Sequence, residues 1–264
     1  MSDPVSVEVR GGVAHVVLCR PERGNAIDLA TARGLLAAAN RCRRDRVRAV
    51  LLRGAGRSFC VGGDLREFAG LPGPDLAGHL AAVTGALHDA LRGFAALDAP
   101  LIAAVRGAVA GAGLGLAAAA DLTIAATDAT FVAAYTGIGY SPDAGVSWSL
   151  PRLIGPRRAL DLLLTNRRLD AREAAEIGLV SRLAEPERLD AEAERVAAAL
   201  AAGATAAIGA TRRLVAAGLT AGLAEHLDRE GQALVAAAVS AEGREGVAAF
   251  LAKRRPRFPD RTAD

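Results

Sequence analysis

The chain contains 264 residues, of which 52% are hydrophobic, 23% are charged and only 3% are aromatic. This length allows one large domain, or one domain with a small appendage, and the apolar content excludes an intrinsically disordered chain. The net charge of +3 is small and few aromatic side chains are present to stack on bases, so we expect no nucleic-acid partner.

The first half of the chain alternates the patterns of strands and helices. Short aliphatic runs bounded by glycine predict strands, and Asp28 is expected to cap the first long helix. The predicted elements are strands at 5–9, 13–19, 49–52, 101–105 and 122–126, helices at about 28–43 and 76–95, and a small-residue helix after the fourth strand. Because strands and helices alternate, we predict an α/β fold.

The second half of the chain is almost entirely helical. Its helix start and stop signals are Pro156, the Asp170–Glu173 pair and Gly178. After a short strand at 179–183, the predicted helices are 189–202, 206–217, 221–239 and 242–253. These alanine-rich amphipathic helices suit an appendage that packs on a body or on another subunit. We therefore divide the chain into a core at 1–190 and a helical region at 191–264.

Two glycine-rich turns follow predicted strands, at 57–65 and at 107–117. Glycines let the backbone turn so that N–H groups point at a bound group, and the free N–H groups of a helix N-terminus favour a developing negative charge. Without a ligand, the first turn would be an ordinary strand-to-helix connection with Asp64 as N-cap. The second would be a site of close helix packing.

The second turn also partly matches the dinucleotide-binding fingerprint, in the form Gly113-x-Gly115-x-x-Ala118. The match is weak, because the fingerprint lies in mid-chain and its helix has room for only about nine residues before Asp121. A nicotinamide-dependent oxidoreductase is therefore a minor alternative.

A third candidate is Asp143, which follows Pro142 and precedes a predicted helix at 144–153. Two interpretations are open at this point. Asp143 is either an ordinary N-cap, or a carboxylate that points into a cleft as a general base. His88 is expected to be a half-exposed helix residue.

Other classes of site are not indicated. The four histidines contain no pair with metal-ligand spacing on a helix, so we predict no metal site. A G-x-S-x-G elbow and a P-loop are absent from the sequence. The N-terminal residues do not read as a signal peptide, three cysteines are too few for a disulfide scaffold, and the apolar stretch 108–120 is shorter than the ~20 residues of a membrane span. We expect a cytoplasmic protein with no membrane partner.

Several motifs in a fixed order carry a family resemblance. The segments are 20–26, 58–65, 105–113, 120–125, 150–155, 174–180 and 245–254. Over essentially its whole length the chain resembles the enoyl-CoA hydratase/isomerase (crotonase) superfamily. The resemblance implies a spiral of ββα units with a helical C-terminal region that forms a homotrimer or homohexamer. It also implies an acyl-CoA thioester substrate and no separate cofactor, because coenzyme A is part of the substrate.

The resemblance gives the two turns a shared role. The N–H groups of Gly63 and Ala112 would hold the thioester oxygen as it becomes an enolate. The second position is usually glycine, but alanine also supplies an N–H. Helix residues around 68–91 would line the acyl pocket. The residues implied in binding coenzyme A are Arg23, Gly24, Val61, Asp64 and Leu65, with Phe250 and Lys253 near the site of a neighbouring subunit.

The chain departs from the hydratases at two positions. Where they carry two glutamates that activate water, this sequence has Gly115 and Tyr135. The segment around Asp143 resembles the ring 1,2-epoxyphenylacetyl-CoA isomerases, in which an aspartate at this place shuttles protons. The 4-chlorobenzoyl-CoA dehalogenases have a nucleophilic aspartate there and a helix histidine near His88, and Tyr135 replaces their tryptophan. His88 and Tyr135 are therefore candidate auxiliary residues.

The leading hypothesis is an acyl-CoA isomerase, with Asp143 as the base and Gly63 and Ala112 as the oxyanion hole. The second is an enoyl-CoA hydratase of fatty-acid or aromatic-acid degradation. The third is a non-catalytic acyl-CoA-binding member of the superfamily. The acyl group itself is left open by the sequence.

Overall fold

A computed structural model describes residues 3–258, which form two β-sheets with helices packed around them. The strands are β1 (Val5–Arg10), β2 (Val13–Leu18), β3 (Ala49–Gly54), β4 (Leu101–Val105), β5 (Ala108–Ala110), β6 (Leu122–Ala126), β7 (Thr130–Val132), β8 (Leu169–Asp170) and β9 (Arg182–Ala184). The helices are α1 (Leu29–Arg44), α2 (Leu65–Ala69), α3 (Gly73–Ala95), α4 (Ala112–Ala118), α5 (Val146–Ile154), α6 (Pro156–Thr165), α7 (Ala171–Glu176), α8 (Leu189–Ala201), α9 (Thr205–Gly218), α10 (Leu223–Val239) and α11 (Ala241–Leu251).

The main sheet has six strands in the order β1-β2-β3-β4-β6-β9. β1 and β2 pair antiparallel, whereas the pairs from β2 to β9 are parallel. Every residue of β4 is buried, as expected for a central parallel strand that is covered on both faces. A smaller sheet, in the order β5-β7-β8, adjoins the two glycine-rich turns.

Helices cover both faces of the main sheet. On one face, Leu51, Ile102 and Ile124 pack in a cluster with Leu189 and Val196 of α8. On the other, the neighbouring residues of the same strands pack in a larger cluster that includes α1 and α3. This alternation follows from the two-residue period of a strand, and it makes the central strands read as continuous apolar runs.

The helix caps predicted at Asp28 and Asp170, and the helix stop predicted at Gly178, are confirmed. The carboxylate of Asp28 accepts the N–H of Thr31 at 2.7 Å, and that of Asp170 accepts the N–H of Glu173 at 2.8 Å. Gly178 has a φ of +89° just after α7, the left-handed conformation that ends many helices.

Two elements begin three residues away from their predicted starts. The helix predicted at 76–95 begins at Gly73, because Pro72 precedes it and the proline in its first turn has no N–H to satisfy. The strand predicted at 179–183 begins only at Arg182, because Leu179 and Val180 are still in the turn that follows α7, where both are buried.

The last three helices leave apolar side chains uncovered. No residue of α10 is buried. The exposed large apolar residues of this region are Val215, Leu219, Leu223, Leu227, Leu234, Val235, Val239, Val247, Phe250 and Leu251. None of the helices within residues 3–258 is both long and apolar enough to cross a membrane.

Candidate active site

A cavity of about 660 Å³ lies among the two glycine-rich turns, the helix α3 and the segment that leads into α5. Its apolar wall comes mainly from α2 and α3, in the region where the acyl pocket is predicted. The principal lining residues are Gly63, Phe68, Leu76, Leu80, Val83, Thr84, Leu87, Ala112, Tyr135, Tyr140, Ser141 and Asp143. Among the lining residues, Asp143 is the one with a charged side chain.

The first turn is held by hydrogen bonds on either side of Gly63. The N–H of Ile27 donates to the carbonyl oxygen of Gly62 at 2.7 Å, and the N–H of Asp64 donates to the carbonyl oxygen of Ile27 at 2.9 Å. Gly62 has a φ of +98°, which favours glycine. The pairing with Ile27 does not use the N–H of Gly63, and Gly63 lines the cavity.

The second turn packs directly against the first. The N–H of Ala110 donates to the carbonyl oxygen of Cys60 at 2.9 Å, and a Cβ atom on Gly62 would lie 3.2 Å from the carbonyl oxygen of Ala110. Ala112 is the first residue of α4, so its N–H has no acceptor four residues earlier within the helix. The structure thus brings Gly63 and Ala112 to one cavity, as an oxyanion hole requires.

The interpretation of Asp143 as a helix cap is wrong. The N-cap residue of α5 is Gly145, with a φ of +73°, and no side chain caps this helix. Only the main chain of Asp143 takes part, because its carbonyl oxygen accepts the N–H of Val146 at 3.1 Å. The carboxylate is therefore free of the helix and reaches the cavity.

His88 on α3 contacts this carboxylate. Its Nε2 atom lies 2.6 Å from Oδ1 of Asp143. An ionised carboxylate only accepts hydrogen bonds, so the imidazole is the donor whenever Asp143 is ionised. The two side chains are 39% and 29% exposed, so solvent reaches the pair. His88 is half-exposed, as predicted, and the structure joins it to Asp143.

Tyr135 is buried beside the same segment. Its hydroxyl donates to the carbonyl oxygen of Asp143 at 3.1 Å. Burial raises the pKa of Tyr135 above its ordinary value, and the nearby Asp143 raises it further. The phenol is therefore a neutral donor, not a base, at physiological pH.

Gly115 is enclosed within α4, whose residues are all buried. A Cβ atom on Gly115 would lie 2.5 Å from the carbonyl oxygen and 2.6 Å from the Cβ atom of Ala144. These distances are far below van der Waals contact, so the turn after Asp143 occupies the space of any side chain at 115. Neither Gly115 nor Tyr135 presents a carboxylate to the cavity.

Five residues that the resemblance implies in binding coenzyme A lie together beside the first turn. The N–H of Val61 donates to the carbonyl oxygen of Gly24 at 3.1 Å, and the Arg23 guanidinium lies 3.9 Å from the Asp64 carboxylate. Val61 and Leu65 are exposed and also line the cavity. Their contact with coenzyme A stays a prediction.

Phe250 and Lys253 lie in the exposed C-terminal part and do not line this cavity. Their predicted place beside the site of a neighbouring subunit is a property of an assembly. It also stays a prediction.

Asp64 does not cap α2 through its side chain either. Its carboxylate is buried and accepts from the Arg20 guanidinium at 3.0 Å, and the same guanidinium lies 2.8 Å from the carboxylate of Asp28. The sequence motif contained Arg20 without indicating this role, since the three residues come from separate turns. Arg20 therefore ties the first turn to the start of α1.

Residues 3–258 contain no group of three or more histidine, cysteine, aspartate or glutamate side chains that could hold a metal ion. Cys60, between the two turns, is fully buried, and burial raises the pKa of its thiol to about 12. The thiol stays protonated at physiological pH, so Cys60 is not an activated nucleophile.

Comparison with known proteins decides the family. The family model described as enoyl-CoA hydratase/isomerase matches residues 8–261. The chain belongs to the enoyl-CoA hydratase/isomerase family. It is 38% identical to the 1,2-epoxyphenylacetyl-CoA isomerase of Escherichia coli, over 98% of this chain and 99% of that protein.

Other relatives of this family member carry different names. It is 34% identical to the trans-2-decenoyl-[acyl-carrier-protein] isomerase of Streptococcus mutans, over 95% of both chains. The crystal structure of an enoyl-CoA hydratase from Polaromonas sp. JS666 superposes with a TM-score of 0.91 at 32% identity, covering 97% of this chain and 99% of that one. The predicted α/β crotonase fold with a helical C-terminal region is thereby confirmed, whereas the relatives are named both as isomerases and as hydratases.

Proposed function

We propose that this member of the enoyl-CoA hydratase/isomerase family is an acyl-CoA isomerase that moves a double bond by proton transfer. The observation that carries the proposal is the single carboxylate of the cavity, that of Asp143. A hydratase needs a group that activates water, and the two positions at which the resemblance expects glutamates hold Gly115 and Tyr135. An isomerase needs one base and one anion site.

The proposed reaction conserves all atoms. The Asp143 carboxylate takes a proton from a carbon made acidic by the thioester carbonyl, and the electron pair moves onto the carbonyl oxygen as a dienolate. The N–H groups of Gly63 and Ala112 donate to that oxygen. Asp143 then returns the proton to a carbon further along the chain, and the double bond ends in a new position. The reaction uses no redox cofactor.

His88 is proposed as an auxiliary residue in this cycle. When Asp143 is ionised, the imidazole donates to it at 2.6 Å and orients the second carboxylate oxygen toward the cavity. The apolar wall of α3 suits an acyl group without charge. Coenzyme A would extend past Val61 and Leu65, which are exposed at the cavity.

The test is Asp143→Asn, which keeps the shape of the side chain and removes the base. We expect isomerisation of unsaturated acyl-CoA thioesters to fall by about 10²–10⁴-fold, the usual contribution of a general base. Exchange of solvent deuterium into the carbons beside the thioester, followed by mass spectrometry, should fall in parallel. Affinity for the acyl-CoA and the melting temperature should stay near those of the wild type, because the Asp143 side chain does not cap α5.

Two outcomes would contradict the proposal. Fast hydration of crotonyl-CoA that survives Asp143→Asn would favour a hydratase with its water-activating group elsewhere. Binding of acyl-CoA esters without exchange or turnover across an aromatic, alicyclic and straight-chain panel would favour a non-catalytic binding protein.

We also propose that the protein works in the cytoplasm as a homotrimer or homohexamer. The exposed apolar side chains of α9, α10 and α11 support this proposal, because burying them against other subunits is favourable by about 25 cal/mol for each Å² of apolar surface. Light scattering at micromolar concentration is the test. A single monomer peak would contradict it.

A further inference from the structure

We propose that Gly115 and Tyr135 are positioning residues that fix the turn carrying Asp143, and that they thereby favour proton shuttling over water addition. The inference rests on the proposed function of Asp143. Gly115 and Tyr135, which replace the two glutamates of the hydratases, are then more than missing catalytic groups: they allow the turn that places the Asp143 carboxylate.

The Gly115 part of the proposal follows from space. Ala144, next to Asp143, is buried and has a φ of +53°, a conformation that is strained for an alanine. Its carbonyl oxygen and Cβ atom lie over Gly115, at the 2.5 Å and 2.6 Å that a Cβ atom there would meet. The turn can take this strained path only because position 115 has no side chain.

The two arrangements are therefore mutually exclusive. A glutamate at 115 would enter the volume that Ala144 fills, and the obstruction includes backbone, which cannot move as the end of a flexible side chain can. For a Cβ atom at 115 to reach an ordinary van der Waals distance from Ala144, the turn would have to shift by roughly 1 Å. Because Asp143 precedes Ala144 directly, its carboxylate would move with the turn.

Tyr135 contacts the same turn. Its hydroxyl donates to the carbonyl oxygen of Asp143, which also accepts the N–H of Val146. The ring is buried and approaches the second glycine-rich turn, since a Cβ atom on Gly111 would lie 4.0 Å from its Cζ atom. Tyr135 therefore links the base to the proposed oxyanion hole through one rigid side chain.

The test uses Gly115→Ala and Tyr135→Phe, with Gly85→Ala as the matched control. Gly85 lies exposed on α3 and does not line the cavity, and a Cβ atom there meets nothing within 4 Å. A displacement of roughly 1 Å at a reacting group costs up to about 100-fold in rate. We expect that loss of kcat for Gly115→Ala and about five- to tenfold for Tyr135→Phe, the value of one hydrogen bond. KM should change little in both, and Gly85→Ala should behave as the wild type.

A second measurement does not depend on turnover. The ¹⁵N resonance of His88 Nε2, assigned with His88→Gln, reports the contact with Asp143. In both positioning variants we expect it to move toward the value of Asp143→Ala, in which the partner is gone. If Gly115 and Tyr135 had a structural role unrelated to Asp143, both variants would keep the wild-type resonance and the wild-type kcat.

The outcomes separate this inference from the proposed function. If the wild type neither isomerises nor exchanges deuterium, the function fails, and the His88 resonance still tests the positioning. If Tyr135→Phe and a folded Gly115→Ala both keep the wild-type resonance and kcat, the positioning inference is overturned. Tyr135→Phe is isosteric apart from the hydroxyl, so it decides the matter should Gly115→Ala fail to fold.

Discussion

Asn25 offers a sharp test of how the first glycine-rich turn is supported. The residue is 1% exposed, and it has a φ of +57°. Its amide Nδ2 donates to the carbonyl oxygens of Ala55 and Ser58, each at 2.9 Å, and its Oδ1 accepts the N–H of Arg20 at 2.9 Å. One side chain thus joins the segment before α1 to the segment after β3.

The magnitude follows from these contacts. Asn25→Ala removes three hydrogen bonds, each with a net value of about 1 kcal/mol in a folded protein. Alanine also pays about 1 kcal/mol to hold the left-handed conformation, which asparagine tolerates better. The free energy of unfolding should therefore fall by about 4 kcal/mol. Asn25→Asp should be at least as harmful, because it sets a carboxylate oxygen against two carbonyl oxygens.

The assay is urea denaturation followed by circular dichroism, at one protein concentration so that assembly contributes equally. The matched control is Asn40→Ala on the exposed face of α1, where the lost contact is a surface one to Arg43. This control should stay within about 0.5 kcal/mol of the wild type. A loss below about 1 kcal/mol for Asn25→Ala would show that the three contacts are not formed together.

Further predictions concern Gly63 and the cysteines. Gly63→Pro removes one proposed oxyanion donor and should lower kcat by about 10²–10³-fold. Gly63→Ala keeps the N–H and sets the same Cβ atom 2.8 Å from the Phe68 ring, which must shift, so it should lose less activity than Gly63→Pro in the deuterium-exchange assay. For the cysteines, burial raises the pKa of both Cys42 and Cys60 to about 12, whereas Cys19 is partly exposed. Ellman's reagent at pH 8 should therefore modify only Cys19 in the native protein, and all three thiols in guanidinium chloride. Rapid modification of more than one thiol in the native protein would contradict the burial of Cys42 and Cys60.

Much of the fold could be predicted because its signals are local. β4 is a run of buried aliphatic residues and β6 is mostly so, and their predicted bounds agree with the structure. The caps at Asp28 and Asp170 are contacts three residues apart, so their residue types in sequence were enough. These features depend on secondary-structure periods and turn chemistry, both of which are written in short segments.

The candidate site was less accessible to the same reasoning. His88 and Asp143 lie on different elements far apart in the chain, and no local pattern links them. Asp143 stands two residues before the N-cap that α5 actually uses, so residue type alone favoured a cap that the structure does not form. Ala144 adopts a left-handed φ. Because glycine is the residue that usually marks this conformation, an alanine gave no sequence signal of the turn that carries Asp143.

The proposed site combines main-chain oxyanion donors with a side-chain carboxylate. This combination offers a reason why relatives that share the fold are named for different reactions. The proposed oxyanion donors are backbone N–H groups, held by other backbone groups such as the carbonyl of Gly62 and the N–H of Ile27. Such a site should tolerate side-chain changes, because alanine at 112, where the resemblance implies glycine, still has an N–H to donate. The base must instead come from a side chain, and its position depends on what the neighbouring turn allows. Exchanging the proposed chemistry would therefore need a coordinated change at the proposed base, at its turn and at the surface beneath the turn, which in this chain are Asp143, Ala144 and Gly115. For this reason, adding a glutamate at 115 alone should produce a damaged isomerase rather than a hydratase.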